Sequence, residues 1–554
     1  MAAEDEFVFV PLGGLGEIGM NCALYGFGPP RARKWIMVDL GVAFAGEDLP
    51  GVDLILPDVG FIEKIRKDLL GIILTHAHED HFGAVADLWP RLGAPVYATK
   101  FAIGLLEVRR LSEQGAPKVP LRAIGQKTQF SLGPFQLETI PVAHSIPESC
   151  ALAITTPLGT VLHTGDWKID LTPVMGRPTD EKRLRELGDA GILALVCDST
   201  NMVRDGVSPS ETDVAKSLTE IISASPGRVL VTTFASNVAR IIAVAEAARA
   251  AGRQVIMAGR AMERVSEVAG ELGMLEGLPA FRGPDAFARL PRDKVVVIVT
   301  GSQGEPRAAL ARIAANEYPD MRLASGDKVI FSSRAIPGNE KAINGIINAL
   351  AKQGVDVITD RDGLVHVSGH PRRDEVRQMY EWTRPAIAIP AHGEALHLTE
   401  QAKMARTLGV RHVIRAFNGD VVRLAPGDPV VSGQVQAGRL VKDGDILTEA
   451  TGAVQERRKL SFAGIVTVAL AIDERGQVVA DPEIETTGIP DKAADGEDIA
   501  EIALDAVESA LTTLPKAKRR DPDAIQEAVR RSVRAAIADV WDKKPICQVF
   551  VLEV

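Results

Sequence analysis

A short apolar run, Gly71–Thr75 (GIILT), opens directly into His76-Ala77-His78-Glu79-Asp80-His81. Three imidazoles and an aspartate fall within six residues at the end of a strand-like segment. Imidazole suits zinc and other first-row metals, while a carboxylate adds charge and can orient a bound hydroxide. A merely solvated polar loop has no need for such a string. The string therefore constrains the fold first: a strand must carry it into a loop where a two-metal cluster can form.

Around that loop, residues before about 200 form short apolar segments bounded by glycine, proline or polar residues. Phe7–Pro11, Trp35–Asp39, Gln136–Val142, Ala151–Thr155, Thr160–Thr164 and Ile192–Cys197 are of this kind. Helical patterns are sparser there, with Gly83–Leu92 and Ala102–Gln114 the best, which suggests a β-rich sandwich with covering helices. From 205 to 370 the style changes. Helical segments (Asp213–Ser223, Asn237–Ala250, Ala261–Leu272) alternate with strands (Arg228–Thr233, Gln254–Ala258, Lys294–Thr300, Lys328–Ser332), as in a parallel-sheet domain. Residues 371–425 return to strand and loop. After a link at 426–454, a unit at 455–554 should carry strands Leu460–Ile472 and Gln477–Ile484, helices Asp498–Leu514 and Asp523–Trp541, and a closing strand Ile546–Leu552.

The chain of 554 residues suits about three or four domains at roughly 150 residues each. The pattern gives three, with the first (1–204 and 371–425) split by the second (205–370). With 63 basic and 73 acidic residues the net charge is −10, which excludes a uniformly basic nucleic-acid coat but not a local basic groove. Four dispersed cysteines without Cys-x-x-Cys argue against a zinc ribbon, a thioredoxin-type site or a disulfide framework. The acidic N-terminus lacks a signal-peptide pattern, and no apolar stretch approaches the roughly 20 residues of a membrane helix. A cytoplasmic protein without a membrane segment is expected.

The His-x-His-x-Asp-His string resembles the signature of the metallo-β-lactamase superfamily. That resemblance implies an α/β fold, an αββα sandwich, with further ligands after later strands. His144 follows Pro141-Val142-Ala143, and Asp166 ends His163-Thr164-Gly165-Asp166. Alone, each would be read as a structural histidine and a turn aspartate. Their order after the first string makes them expected ligands, while His163, before the strand end, is expected to be a core histidine. One ion would take His76, His78 and His144, the other Asp80, His81 and a later histidine, with Asp166 bridging. Coordination lowers the pKa of bound water to about 7, which suits in-line attack on a phosphodiester.

The superfamily's nucleic-acid enzymes carry an inserted β-CASP domain with three motifs. Asp198 in CDST fits the first, His370 in HVSGH the second and His392 in PAHGE the third. Histidine at the third position implies RNA rather than DNA, and supplies the missing ligand. PLGGLGEIGMN, the DLG run Asp39–Gly41, HTGDWK, DSTN and TGSQGEP complete a resemblance to the ribonuclease J family over about residues 7–425. The segment 455–554 fits that family's small α/β C-terminal domain in position and size.

The resemblance implies a two-metal ribonuclease of RNA maturation and decay, including ribosomal RNA processing and messenger decay. It implies 5′-to-3′ exonuclease action preferring 5′-monophosphate ends, often with endonuclease activity. The implied cofactors are two divalent ions, zinc first and manganese or magnesium as alternatives. The implied partners are RNA, a second or further copies in a homodimer or homotetramer, and members of an RNA-degradation assembly. The family's terminal-phosphate pocket maps onto Ser236, His366 and Ser368, beside His370. Hydroxyls and imidazole can hold a phosphate without a basic surface. Phe234–Asn237 has an ordinary alternative as a helix N-cap. His370 is expected to protonate the leaving oxygen, Asp198 to orient it, and Asp80 to act at the metals. Gly301–Pro306 is expected to shape the cleft.

Three other features weigh less. Gly14-Leu15-Gly16-Glu17-Ile18-Gly19 formally matches a dinucleotide fingerprint, but a strand-like segment follows it instead of the required helix. Of the basic runs (Arg109-Arg110, Arg372-Arg373, Arg457-Arg458-Lys459, Lys516–Arg520), Arg372-Arg373 is the best phosphate candidate because it adjoins His370. His163, His397 and His412 are left without a chemical role. A small-molecule hydrolase or a non-catalytic scaffold would not call for the inserted domain or the complete ligand set.

Overall fold

The structure is a computed structural model that describes residues 4–554. It divides into two compact units: Ile55–Arg439 with the chain up to Ala43, and Leu440–Val554 with Phe44–Leu54.

Two sheets of the first unit share one core. An eight-stranded sheet runs in the order Val430–Gln434, Asp420–Ala425, Glu6–Gly13, Cys22–Gly28, Lys34–Val38, Leu69–Ile73, Val96–Ala98, Leu121–Ala123. A seven-stranded sheet runs Gln129–Leu132, Phe135–Pro141, Cys150–Thr156, Gly159–His163, Ala194–Asp198, Ile387–Ala391, His412–Val413. Phe7, Tyr25, Ile36 and Val38 of the first pack on Phe135, Leu152, Ile154, Val161 and Val196 of the second. Because strand side chains alternate faces, Ile140, Ala151, Leu162, Leu195 and Cys197 point the other way. They pack on Leu184, Val376, Met379, Tyr380, Met404 and Ala405, which lie on helices Glu181–Ala190, Arg373–Thr383 and Ala395–Thr407. This is the expected sandwich with helices outside.

The inserted domain holds five parallel strands in the order Gln254–Ala258, Val295–Val299, Val229–Thr232, Lys328–Phe331, Asp356–Ile358. The three middle strands are buried almost throughout, which explains their unbroken apolar runs. Val229–Thr232 lies in the middle and connects to the Gln254–Ala258 edge, while its neighbour Lys328–Phe331 connects the other way, to Asp356–Ile358. Open α/β sheets of this kind bind ligands at such a switch point, beyond the carboxyl ends of the strands. Ser236 lies four residues after Thr232, at that edge.

The second unit differs in part from expectation. The parallel strands Ile465–Ile472 and Ile546–Glu553 lie side by side, with Glu483–Thr487 antiparallel at the far edge. Helices Ile499–Thr513 and Pro522–Trp541 pack on one face through Ala503, Val507, Val529 and Val533. The strand expected from Leu460 begins only at Ile465, because residues Ala453–Ala463 are helical. Gln455–Lys459 are good helix formers, and Gly464 ends the helix at φ 62°. A Cβ on Gly464 would lie 2.6 Å from the Gly488 carbonyl oxygen, so this break requires glycine. The second expected strand likewise starts late, at Glu483. Within 426–454, expected as a link, lie three short strands: Val430–Gln434, Arg439–Asp443 and Ile446–Glu449.

Candidate metal centre

The site is built at the carboxyl ends of strands from both sheets. Leu69–Ile73 delivers His76, His78, Asp80 and His81, and its parallel neighbour Lys34–Val38 delivers Asp39. Phe135–Pro141 leads to His144. Gly159–His163, Ala194–Asp198 and Ile387–Ala391 run parallel and side by side, and lead to Asp166, Asp198 and His392. Two non-glycine residues there, Asp39 (φ 63°) and His392 (φ 47°), hold left-handed backbone. Such strain persists where the surrounding structure over-determines it, and it clusters at functional sites.

The ligand atoms of His76, His78, His144 and Asp166 gather within 4.8 Å of one another, as do those of Asp80, His81, Asp166 and His392. In the first set His78 Nδ1 lies 3.2 Å from His76 Nε2 and 2.9 Å from His144 Nε2. Asp166 Oδ2 is 3.6 Å from each of His76 Nε2 and His144 Nε2. Its other oxygen, Oδ1, faces His81 Nε2 at 3.2 Å and His392 Nε2 at 3.5 Å. Asp80 Oδ2 closes the second set at 3.6 Å from both of those nitrogens. Asp166 is thus the one carboxylate shared by two triads.

Asp166 Oδ1 and His392 Nε2 are buried and have no hydrogen-bond partner among the described residues. Buried polar atoms are normally satisfied, so orphans converging with imidazole nitrogens fit a pair of cations. The electrostatics agree. Burial holds His76 and His144 well below the usual histidine range and His78 at about 4, so all three are neutral, the form that ligates metal. At His81 burial opposes a charge, but Asp166, Asp80 and Asp39 outweigh it. This half of the site favours added positive charge.

Other residues aim the ligands. Asp39 Oδ2 lies 2.7 Å from His81 Nδ1, and its oxygens also accept from the Thr75 amide (2.8 Å) and hydroxyl (2.9 Å). A carboxylate on the far nitrogen fixes a ligating imidazole's tautomer and orientation. Gly41 must be glycine, because a Cβ there would sit 1.7 Å from the Asp80 carbonyl oxygen. His144 Nδ1 meets the Gly369 carbonyl at 2.7 Å. Sequence reading gave none of these a role, although DLG and HVSGH contain Asp39, Gly41 and Gly369. The Gly14–Gly19 segment precedes strand Cys22–Gly28 and no helix, which removes the dinucleotide reading. His163 Nδ1 pairs with the Tyr25 hydroxyl at 2.9 Å, a satisfied core histidine as expected.

His370 adjoins the metal ligands. Its Nδ1 is 2.8 Å from Asp198 Oδ2 and 3.7 Å from Asp166 Oδ2. Burial opposes its charge, but Asp198 and then Asp166 push it up to about 9. Ser368 accepts from Asn201 Nδ2 at 3.0 Å and from the His370 amide at 3.2 Å. Burial, followed by the charges of Arg240, Lys168 and Arg334, lowers His366 to about 3. Asn237 caps helix Val238–Ala250 by accepting from the Arg240 amide at 2.9 Å, so Ser236 does not serve as the cap.

A buried ion network backs the segment leading to His366. Arg240, fully buried, donates to Glu211 Oε2 at 2.7 Å and to the Val365 carbonyl at 2.9 Å, and also binds the Ser332 hydroxyl. Glu211 Oε1 lies 3.8 Å from Lys168 Nζ, which pairs with Asp170 at 3.1 Å. The network connects the turn that carries Asp166 to the irregular segment just before His366.

Four family models match the chain in succession. They are the metallo-beta-lactamase superfamily (residues 21–190), the ribonuclease J beta-CASP domain (226–350), the Zn-dependent metallo-hydrolase RNA specificity domain (354–415) and the ribonuclease J C-terminal domain (452–554). The chain is 53% identical to ribonuclease J of Sinorhizobium meliloti, over 100% of this chain and 98% of that protein. It is 39% identical to ribonuclease J of Mycolicibacterium smegmatis, over 98% of this chain and 96% of that one. For ribonuclease J of Helicobacter pylori the identity is 32%, over 97% of this chain and 78% of the relative. A crystal structure of a protein of unknown function from Enterococcus faecalis V583 covers 76% of this chain and 100% of its own, with a TM-score of 0.53 and 15% identity, a likeness of fold alone.

Proposed function

The chain belongs to the ribonuclease J family, and from that premise we propose a two-zinc exoribonuclease that degrades RNA 5′ to 3′ from monophosphorylated ends. Family membership makes it a metal-dependent hydrolase of RNA. The observation that carries the finer reading is Asp166, whose two oxygens face separate triads.

In this reading His76, His78 and His144 would hold one cation and Asp80, His81 and His392 the other, with Asp166 available to both. When bound, the cations supply an acidified water and positive charge opposite the phosphoryl oxygens. The chain's own groups do the rest. Asp39 and Gly369 fix the tautomers of His81 and His144. As a hydroxide, formed from water by loss of a proton to solvent, bonds to phosphorus and the P–O3′ bond breaks, His370 gives its proton to the departing O3′. Asp198 keeps His370 charged and aimed.

Ser236, His366 and Ser368 take the terminal phosphate. His366, lowered to about 3, is neutral and adds no net charge to the pocket. A pocket at a fixed distance from the metals would release one nucleotide at a time. Residues 1–204 with 371–425 are the metallo-β-lactamase domain, and 205–370 the β-CASP domain.

Among the described residues no helix is long and apolar enough to cross a membrane. The reading carries a cytoplasmic location, partners in an RNA-degradation assembly, and a homodimer or homotetramer. Phe550 and Leu552, exposed on the strand face opposite buried Val549, offer apolar surface for self-association.

A timed digest of one RNA with 5′-monophosphate, 5′-triphosphate or 5′-hydroxyl ends tests the reading. The monophosphate form should disappear fastest, releasing mononucleotides from the first time point. Equal rates and internal fragments would replace it with a mainly endonucleolytic enzyme.

A further inference from the structure

Asn201 ends the DSTN string that begins at Asp198, and its side chain is buried, with 5% of the residue exposed. It reaches the HVSGH string, 167 and 169 residues further along the chain. Its Nδ2 lies 3.0 Å from Ser368 Oγ and 3.1 Å from the His370 carbonyl oxygen. A carbonyl only accepts, so the atom facing it must be the amide nitrogen, because Oδ1 in that place would set acceptor against acceptor. The nitrogen carries two protons, and each meets one acceptor. The orientation of the Asn201 amide is therefore fixed, and it donates to Ser368.

A second donor reaches the same oxygen, the His370 amide at 3.2 Å. A serine hydroxyl has two lone pairs and one proton. Here both lone pairs are taken, and the proton goes to none of the described residues. Ser368 is thus left with one capacity, to donate. The backbone keeps the arrangement in register. Residues 201 and 372 pair in a parallel bridge, and the Asn201 carbonyl accepts from the Arg204 amide at 2.9 Å. On the other side the Gly369 carbonyl meets His144 Nδ1 at 2.7 Å. The same short turn carries Asp198, whose Oδ1 accepts from the Thr200 amide at 2.8 Å and whose Oδ2 faces His370 Nδ1 at 2.8 Å. One tetrapeptide so sets the direction of both His370 and Ser368.

A committed donor distinguishes two kinds of RNA end. Above its second pKa of about 6, a terminal phosphate accepts hydrogen bonds and donates none. A 5′-hydroxyl does both. A hydroxyl that only donates matches the first, and its bond to a charged oxygen is roughly twice as strong as to a neutral one. A serine with a free lone pair also welcomes a donor and discriminates less. We propose that Asn201 is a positioning residue for end selection: by filling a lone pair of Ser368 it commits that hydroxyl to donate, and so favours a phosphomonoester over a hydroxyl at the 5′ end of the RNA. This rests on the reading that places Ser368 at the terminal phosphate.

The test compares the full, zinc-loaded chain with Asn201→Ala, Asn201→Leu, Ser368→Ala and the Asn201→Ala/Ser368→Ala pair. The quantity read is the ratio of kcat/KM for 5′-monophosphate RNA to that for 5′-hydroxyl RNA of the same sequence. Damage passed through His370, or through a general loosening, lowers both ends alike and cancels in the ratio. Each Asn201 variant should lower the ratio about fivefold, the effect of one modest hydrogen bond. Ser368→Ala should lower it at least as far. Adding Asn201→Ala to Ser368→Ala should lower it no further, because no hydroxyl is left to commit. The corresponding ratio of Kd values, taken in a His78→Ala background, should follow the same pattern without any chemistry. Bound zinc in the Asn201 variants should match the parent.

A ratio unchanged in the Asn201 variants overturns the proposal. A ratio that falls again by the same factor in the pair also overturns it, since Asn201 would then act independently of Ser368. Where Asn201→Leu does not fold, Asn201→Ala, which leaves room for a water, decides alone. A parent protein with no preference for the monophosphate end would instead sink the terminal-phosphate reading, and the role of Asn201 with it.

Discussion

The metal centre and the segment carrying His366 lie in the same unit but are held by different forces. The candidate ligands stand beyond strand ends, on loops and, for Asp80 and His81, on the short helix Glu79–Phe82. The sheets beneath are held by an apolar core that includes Phe7, Tyr25, Phe135 and Ile154. The His366 segment instead hangs on ions, because Arg240 holds the Val365 carbonyl and is backed by buried Glu211, Lys168 and Asp170. Removing one partner of a buried ion set leaves an uncompensated charge, whereas trimming a metal ligand leaves an open loop. The same unit should therefore lose chemistry without fold at one site, and lose fold and specificity together at the other.

The largest effect tests the first half. His78→Ala should reduce cleavage by several orders of magnitude, and removing metal with a chelator should do the same to the parent. Thermal unfolding of the metal-free forms should nearly coincide, and RNA binding should largely survive. Cleavage persisting in metal-stripped His78→Ala protein would break the assignment.

Arg240→Met tests the second half. It leaves Glu211 buried without its nearest cation and should cost about 3–5 kcal/mol in denaturant unfolding. In the protein that remains folded, the advantage of 5′-monophosphate over 5′-hydroxyl RNA should shrink while bound zinc stays constant. Removing Glu211 as well, by Arg240→Met with Glu211→Gln, should recover part of the stability. A variant that kept both stability and end preference would show that the network positions nothing.

What the sequence made legible follows the same division. The histidines and aspartates that cluster were readable because each sits in a short string after an apolar strand, so identity and setting arrive together. The residues that aim them were not, since their partners are far along the chain: His81 and Asp39 are 42 residues apart, Arg240 and Val365 125, His144 and Gly369 225. Arg372-Arg373 looked like one basic patch, and only the fold shows that Asp205 and Glu400 cancel half of it. Leu460–Ala463 looked like the start of a strand because apolar residues continue across Gly464, whose left-handed backbone separates helix from strand.

Asp39→Asn sharpens the first half at smaller scale. It keeps the shape but loses the charge beside His81 Nδ1, and loss of such an outer carboxylate typically costs about 10–100-fold in metal affinity or activity. Zinc competition with a coloured chelator would read it directly. Excess zinc should restore much of the activity, which it should not do for His78→Ala.

The smallest effect lies where the two regions meet. His370 is in the second region by sequence, yet its charge is set by the first. Burial works against its proton, but Asp198 and Asp166 raise it to about 9. A group raised in this way stays protonated to higher pH than ordinary histidine, so proton donation to O3′ should fail only on the alkaline side. Bound cations act in the opposite sense, drawing it back toward the operating pH that a general acid needs. Asp198→Asn removes the largest charge that favours the proton, so the alkaline limb of kcat should move to lower pH. Binding of RNA at neutral pH should change little, because Asp198 faces His370 and not the terminal-phosphate pocket. An alkaline limb that stays in place while kcat falls at every pH would mean that Asp198 supports the strand end and does not tune the acid.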